Sequence, residues 1–204
     1  MSDSQTVAPR RRMRAADRRE QLLQVAAKLL SDPATSSASM DDIAAAAGVT
    51  KPVLYRHFPS KRALVQEVLG DGIERLRKAL SSAVTNARSP REQVELGFVA
   101  FFKFIESEPG SHDLLFSGNV WTQSGFAQEL TEFKTGMAES VSLLIDVPGL
   151  DDNLRRFYGA AIVGMCDQSV RQWMQDGCVT SAEEAAADLA EMAWNGLKGL
   201  SPRL

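Results

Sequence analysis

Apolar residues recur three and four positions apart along almost the whole chain, the spacing that lines one face of a helix, and no stretch alternates as a half-buried strand would. Leu22, Leu23, Ala26, Leu29 and Leu30 form the first such stripe, in a helix starting at about Ala16. A second begins at about Met40, with Ile43, Ala44 and Ala47 inward. A short third runs from about Lys51 to His57, anchored by Leu54 and Phe58. Leu64, Val65, Val68, Leu69, Ile73, Leu76 and Leu80 mark a longer fourth, entered at Pro59 and Ser60 and ending at about Val84. Further helices are predicted from Ser89 to about Ser107, over Ser111 to Ser117, from Gly118 and Asn119 to about Leu144, from Asp151 to Asp176, and from Ser181 onward. The expected fold is all-α with about nine helices.

The punctuation between the second and third helices is the most informative part. Ser39 with Asp42 three residues on reads as a capping box, an oxygen and an acid at the positive end of a helix. Gly48 supplies the left-handed exit, Val49 plugs the angle between the helices, and Thr50 restarts the chain as an N-cap. Pro52 is tolerated because the first turn has no N–H partner to lose. With Leu54 and Phe58 inward, Lys51, Val53, Tyr55, Arg56 and His57 are left outside, a face suited to phosphates and base edges.

Charge supports that reading only once the chain is divided. Residues 1–62 hold 11 Lys and Arg against 6 Asp and Glu, a net +5, and the remainder holds 12 against 20, a net −8. A basic N-terminal part can dock on a polyanion, and the acidic remainder should point away from it. Residues 1 to about 9 are polar and expected to be disordered; Arg10, Arg11, Arg12 and Arg14 form a basic arm, either solvated or in contact with DNA. Lys61 and Arg62, in the first turn of the fourth helix, can both face a phosphate.

The run Gly48-Val49-Thr50-Lys51-Pro52-Val53-Leu54-Tyr55-Arg56-His57-Phe58, followed by Ser60-Lys61, closely resembles the DNA-binding signature of the TetR family of bacterial repressors. The resemblance is specific from about Arg14 to Leu69 and architectural beyond. It implies a helix-turn-helix domain over residues 16–62 behind an arm of residues 1–15, and a ligand-binding and dimerisation domain over residues 63–204. The DNA-binding residues it implies are Ser39, Thr50, Lys51, Pro52, Val53, Tyr55, Arg56, His57 and Lys61. Between Ser31 and Ser39 the sequence departs from the family: Asp32-Pro33 and a run of Ala, Thr and Ser replace a glycine turn and a Thr-rich entry. Thr35, Ser37 and Ser39 all remain candidates for the phosphate contact there, Ser39 favoured as the cap.

Beyond residue 89 the apolar bulk exceeds what one buried face needs. Phe98, Phe101, Phe102, Ile105, Phe116, Trp121, Phe126, Phe133, Met137 and Met165 either fill a core or, as the resemblance implies, enclose an apolar ligand, with Asn119, Gln123 or Gln168 as polar fixing points. The helix after Asp151 is apolar on more than one side and needs a partner. By the resemblance this is a four-helix dimer interface, to which Ile162, Cys166, Val170, Trp173, Leu189, Met192, Gly196 and Leu197 are assigned. Two reading heads about 34 to 36 Å apart would then read a palindrome.

Other classes fit poorly. No apolar run reaches the roughly 20 residues that span a bilayer and no signal-peptide pattern is present, so a cytoplasmic protein is expected. Cys166 and Cys178 have no metal-ligand spacing and read as reduced, structural thiols. Only His57 and His112 could serve as catalytic imidazoles; neither lies in a nucleophile arrangement, so neither enzyme nor cofactor is expected. His112 beside Asp113 reads as a surface helix start. The expected function is a dimeric DNA-binding repressor, released from a palindromic operator by an apolar small molecule. The alternatives are a regulator without a ligand and a lipid-binding carrier that no longer reads DNA.

Overall fold

A computed structural model describes residues 14–108, 110–116, 120–121, 125–145, 147 and 149–198, with side chains described as far as Gly196. The arm residues Arg10, Arg11 and Arg12, together with Asn119 and Gln123, lie outside the described residues. Among the described residues every regular element is a helix: α1 (Ala15–Ser31), α2 (Met40–Ala46), α3 (Lys51–His57), α4 (Lys61–Val84), α5 (Pro90–Ser107), α6 (Ser111–Phe116), α7 (Ala127–Ser142), α8 (Asp152–Gln175) and α9 (Ala182–Lys198).

The starts follow their local chemistry. Ser39 Oγ accepts from the Asp42 N–H while the Asp42 carboxylate accepts from the Ser39 N–H at 2.8 Å, a reciprocal box that satisfies both ends of the first turn of α2. Ser89 and Ser181 begin α5 and α9 by accepting from the N–H groups of Glu92 and Glu184. Gly48 ends the α2 segment at φ +64°, a conformation an L side chain rarely adopts. Thr50 departs from expectation: its side chain makes no capping bond, and α3 rests on Pro52 in its first turn and on packing. The predicted long helix after Asn119 is also shorter than its apolar pattern suggests. Trp121 and Phe126 precede it, Phe126 being its N-cap residue, and Leu144 follows its end at Ser142.

Two cores result. In the first, Leu22, Ala26, Leu30, Ile43, Leu54 and Phe58 pack with Leu64, Val65, Val68 and Leu69 of α4, and the same core takes in Leu114, Val120, Trp121 and Phe126 from farther along the chain. In the second, Leu76, Phe98, Phe101, Phe102, Ile105, Leu115 and Phe116 meet Val170, Trp173, Ala186 and Leu189. Helix α4 serves both cores, and α6 is divided between them, Leu114 in one and Leu115 and Phe116 in the other. Gly72 of α4 permits that arrangement: a Cβ there would lie 3.1 Å from Leu115, so close packing explains this glycine, whereas nothing approaches Gly70.

Candidate functional site

The outer face of α3 carries Lys51, Pro52, Tyr55 and Arg56 as exposed side chains, with Val53 and His57 half-buried, while Leu54 and Phe58 are fully enclosed beneath them. This division follows from the helical period, since residues 54 and 58 lie four apart on one side. Tyr55 is 40% exposed, an unusual place for a large aromatic unless it meets a partner. The Lys51 ammonium lies 5.9 Å from the centre of its ring. His57 has its Nε2 buried with no hydrogen-bond partner among the described residues. Burial first, then the charges of Arg56, Arg19 and Arg18, hold its pKa below the usual imidazole value.

The cations predicted to meet phosphate are differently placed. Lys61 Nζ donates to the Ser37 carbonyl at 3.1 Å, beside the capping box of α2, so Ser37, Ser39 and Lys61 are brought together. Thr35 turns away from them, its hydroxyl donating to the Leu29 carbonyl at 2.7 Å. Arg62 reaches instead toward the start of α7: it donates to the Gly125 carbonyl at 3.1 Å, pairs with Glu129 at 3.6 Å and stacks over the Phe126 ring at 4.1 Å. Successive residues of a helix point about 100° apart, so the two adjacent cations reach different partners.

The second region holds a partly open cavity of about 310 Å³ lined by residues of all the helices from α4, through Leu80, to α9. Of the residues expected around a ligand, Phe98, Phe101, Phe116 and Met137 line it. Phe102 and Ile105 are instead turned into solid core, Phe102 against Trp173 with ring centres 5.5 Å apart. Trp121 and Phe126 belong to the first core, Trp121 donating its indole N–H to the Leu114 carbonyl. Phe133 stacks on Trp121, Met165 packs in the second core and Gln168 is exposed, so none of these three is part of the wall. Val141 and Leu144, on the apolar pattern of the predicted long helix, also line it, and Leu80 of α4, Pro90, Gln93, Val94 and Gly97 of α5, Val163 of α8 and Trp194 of α9 complete it. Among the described residues of the lining there is no Asp, Glu, Lys or Arg, and such a wall favours uncharged apolar groups over charged ones.

The residues assigned to a subunit interface divide in a similar way. Ile162 and Cys166 line the cavity, and burial pushes the Cys166 thiol up to about 12, which keeps it an uncharged, inert wall. Val170, Trp173 and Leu189 are buried within the protomer. Met192 is 57% exposed, Gly196 is exposed, and Leu197 lies on α9 with its side chain outside the described residues. The outward stripe of α8 is Phe157, Ala160, Ala161, Gly164 and Gln168, one helical face of small residues headed by a phenylalanine that is 65% exposed.

His112 corrects the sequence reading outright. It is buried, not a surface helix start: Nε2 lies 2.8 Å from Asp167 of α8, and the ring stacks on Phe116 at 5.5 Å. Lys134 completes the group, donating to Asp167 and to the Phe116 carbonyl. Burial is the largest single influence on Asp167 and raises its pKa, but the bonds and charges of His112 and Lys134 together outweigh it and hold the carboxyl below its usual range. The network ties the cavity wall on α6 to α7 and α8.

Comparison with known proteins agrees with this geometry. Residues 22–68 match the model of the bacterial regulatory proteins of the tetR family. Over 182 residues the chain is 30% identical to the transcriptional activator FasR of Mycolicibacterium smegmatis, an alignment covering 89% of this chain and 83% of that protein. The chain belongs to the TetR family. Members of this family are transcription regulators that bind DNA through the helix-turn-helix, which here is α2, Gly48 and α3. A second TetR-family relative, the transcriptional repressor KstR2 of the same organism, is 37% identical over 100 residues, about half of each chain. A solved TetR-like regulator from Rhodococcus sp. RHA1 superposes with a TM-score of 0.79 at 27% identity, over 93% of this chain and all of that one. Among the described residues no helix is long and apolar enough to cross a membrane.

Proposed function

We propose that this TetR-family regulator acts as a homodimer on a palindromic operator and is released from it by an apolar small molecule held in the cavity. The observation that carries the reading is the apolar cavity wall formed in part by Phe116, on the same short helix whose Leu114 lies in the core of the DNA-binding module. A ligand that changes the packing of α6 on one side therefore acts on the module on the other. Ligand and operator prefer different arrangements, and each weakens the other by the same factor.

The DNA-reading residues are Lys51, Pro52, Val53, Tyr55, Arg56 and His57 of α3, with Ser39, Thr50 and Lys61 as phosphate contacts. One such head covers few base pairs, and pairing two of them supplies the length a specific site needs. The outward stripe of α8 with Met192 and Gly196 of α9 suits that pairing, because Ala161 and Gly164 let two helices approach closely. Repression follows where the operator overlaps the promoter; FasR, by name, is an activator. A carrier that had lost DNA binding would have no need of the exposed Tyr55 and Arg56 beside Lys51.

Native mass spectrometry of the purified protein tests this reading. A dimer, with an uncharged apolar compound released on denaturation or taken up on addition, is the expected result. A monomer that takes up no apolar compound would contradict it.

A further inference from the structure

Helix α2 begins with two acids that have different duties. Asp42 is engaged by the cap, accepting from the Ser39 N–H at 2.8 Å and from the Ser39 hydroxyl at 2.7 Å. Asp41 takes no part in it. Each of its two carboxylate oxygens lies 3.0 Å from the Lys51 ammonium, ten residues away across the turn. Both side chains are more than half exposed, at 57% and 61%, so the pair belongs to the outer face and adds little to stability. The bond and the charge of Asp41 together raise the pKa of Lys51, so its ammonium stays charged throughout the neutral range.

A carboxylate is costly in a surface that must meet phosphates. The N-terminal residues of a recognition helix are those that reach base edges, and the first helix of the motif crosses the backbone. Asp41 and Lys51 occupy those two places and touch. For Lys51 to bind a phosphate it must leave Asp41, whose charge then faces the polyanion unpaired, well within a screening length of about 8 Å at physiological salt. A guanine edge is different: it offers two acceptors to an ammonium, and the amino group of the paired cytosine is a donor that a carboxylate can accept.

We infer that Asp41 is a specificity-determining residue of the DNA-reading face, restraining Lys51 from indiscriminate phosphate contact so that it contributes chiefly where base edges take up both partners. Discrimination here arises from a built-in repulsion as much as from attraction. The inference rests on the α3 face being the one that meets DNA.

The test is fluorescence anisotropy on two duplexes, one of random sequence and one selected from a random pool by the protein itself, between about 50 and about 200 mM salt. Asp41→Asn should bind the random duplex several-fold more tightly. Its log affinity against log salt should be steeper by about 0.9, the signature of one more phosphate contact. Its preference for the selected duplex should fall by about tenfold, and Asp41→Glu should restore the original behaviour. In the Lys51→Met background the Asn substitution should no longer steepen the slope, since Lys51 is the charge it releases. An unchanged random-duplex affinity and slope, an equal gain on both duplexes, or a gain that persists without Lys51 would each overturn the inference. Binding to both duplexes that Tyr55→Ala left unchanged at fixed salt would overturn the reading of the face itself, and this inference with it.

Discussion

The DNA-binding module and the region behind it solve opposite packing problems with the same kind of helix. In the first, Leu22, Ala26, Ile43, Leu54 and Phe58 are fully enclosed and the proposed DNA contacts, Lys51, Tyr55 and Arg56, are exposed. In the second, six helices line apolar space, and the proposed ligand site lies inside. A reading face needs a rigid base, because a small displacement of a base contact removes its hydrogen bonds; a ligand site needs room. The two meet on α6, a helix of 6 residues shared by both cores.

The sharpest test of that contrast is truncation. Phe58→Ala removes a fully buried ring that also lies under Arg19, whose guanidinium is 4.8 Å from its centre, and should cost about 3–5 kcal/mol in chemical denaturation. Crowding the second region should cost less. At Gly159, where α8 crosses α7, an added Cβ would lie 2.3 Å from the Ala138 carbonyl oxygen and 3.0 Å from the Ser142 nitrogen, so Gly159→Ala should cost about 1–3 kcal/mol as the helices are forced apart. Met137→Ala at the half-buried cavity wall should cost under about 1.5 kcal/mol, because part of that side chain already faces space. A loss as large as that of Phe58→Ala would show that the cavity closes in solution.

The smallest effect is the pH dependence that His57 contributes in the first region. His57 has a lowered pKa, so the unfolded chain binds a proton more readily than the folded one. The stability this residue contributes is present above the usual imidazole value and is lost as pH falls through it. The denaturation midpoint should therefore drift downward between about pH 7.5 and pH 5.5, and His57→Gln should reduce the drift.

How much of this was legible in the sequence depended on whether the chemistry is local. Ser39 with Asp42, Gly48, and Leu54 with Phe58 act within a few residues of one another, and the helical period alone orients them. The second region is assembled from distant pieces. Nothing near His112 announces Asp167, 55 residues away, and a helix apolar on several sides does not reveal which side is hollow. Ile162 and Cys166 were therefore expected at a subunit interface, yet they line the cavity. One signal was present and unused. Pro90, Gln93, Val94, Gly97, Phe98 and Phe101 fall at intervals of three and four on one face of α5, with Gly97 leaving space in its middle. Arg62 shows the limit of charge counting, because a cation in a basic segment reached for Gly125 and Glu129.

The account stands or falls on the link between cavity and reading face. The most direct measurement is a titration of the protein with the uncharged fluorophore N-phenyl-1-naphthylamine, in the absence and in the presence of a saturating selected operator duplex. The account predicts that the duplex weakens dye binding by roughly 5- to 150-fold, and that saturating dye weakens duplex binding by the same factor. Dye that enters the protein with one affinity whether or not the operator is bound would contradict it.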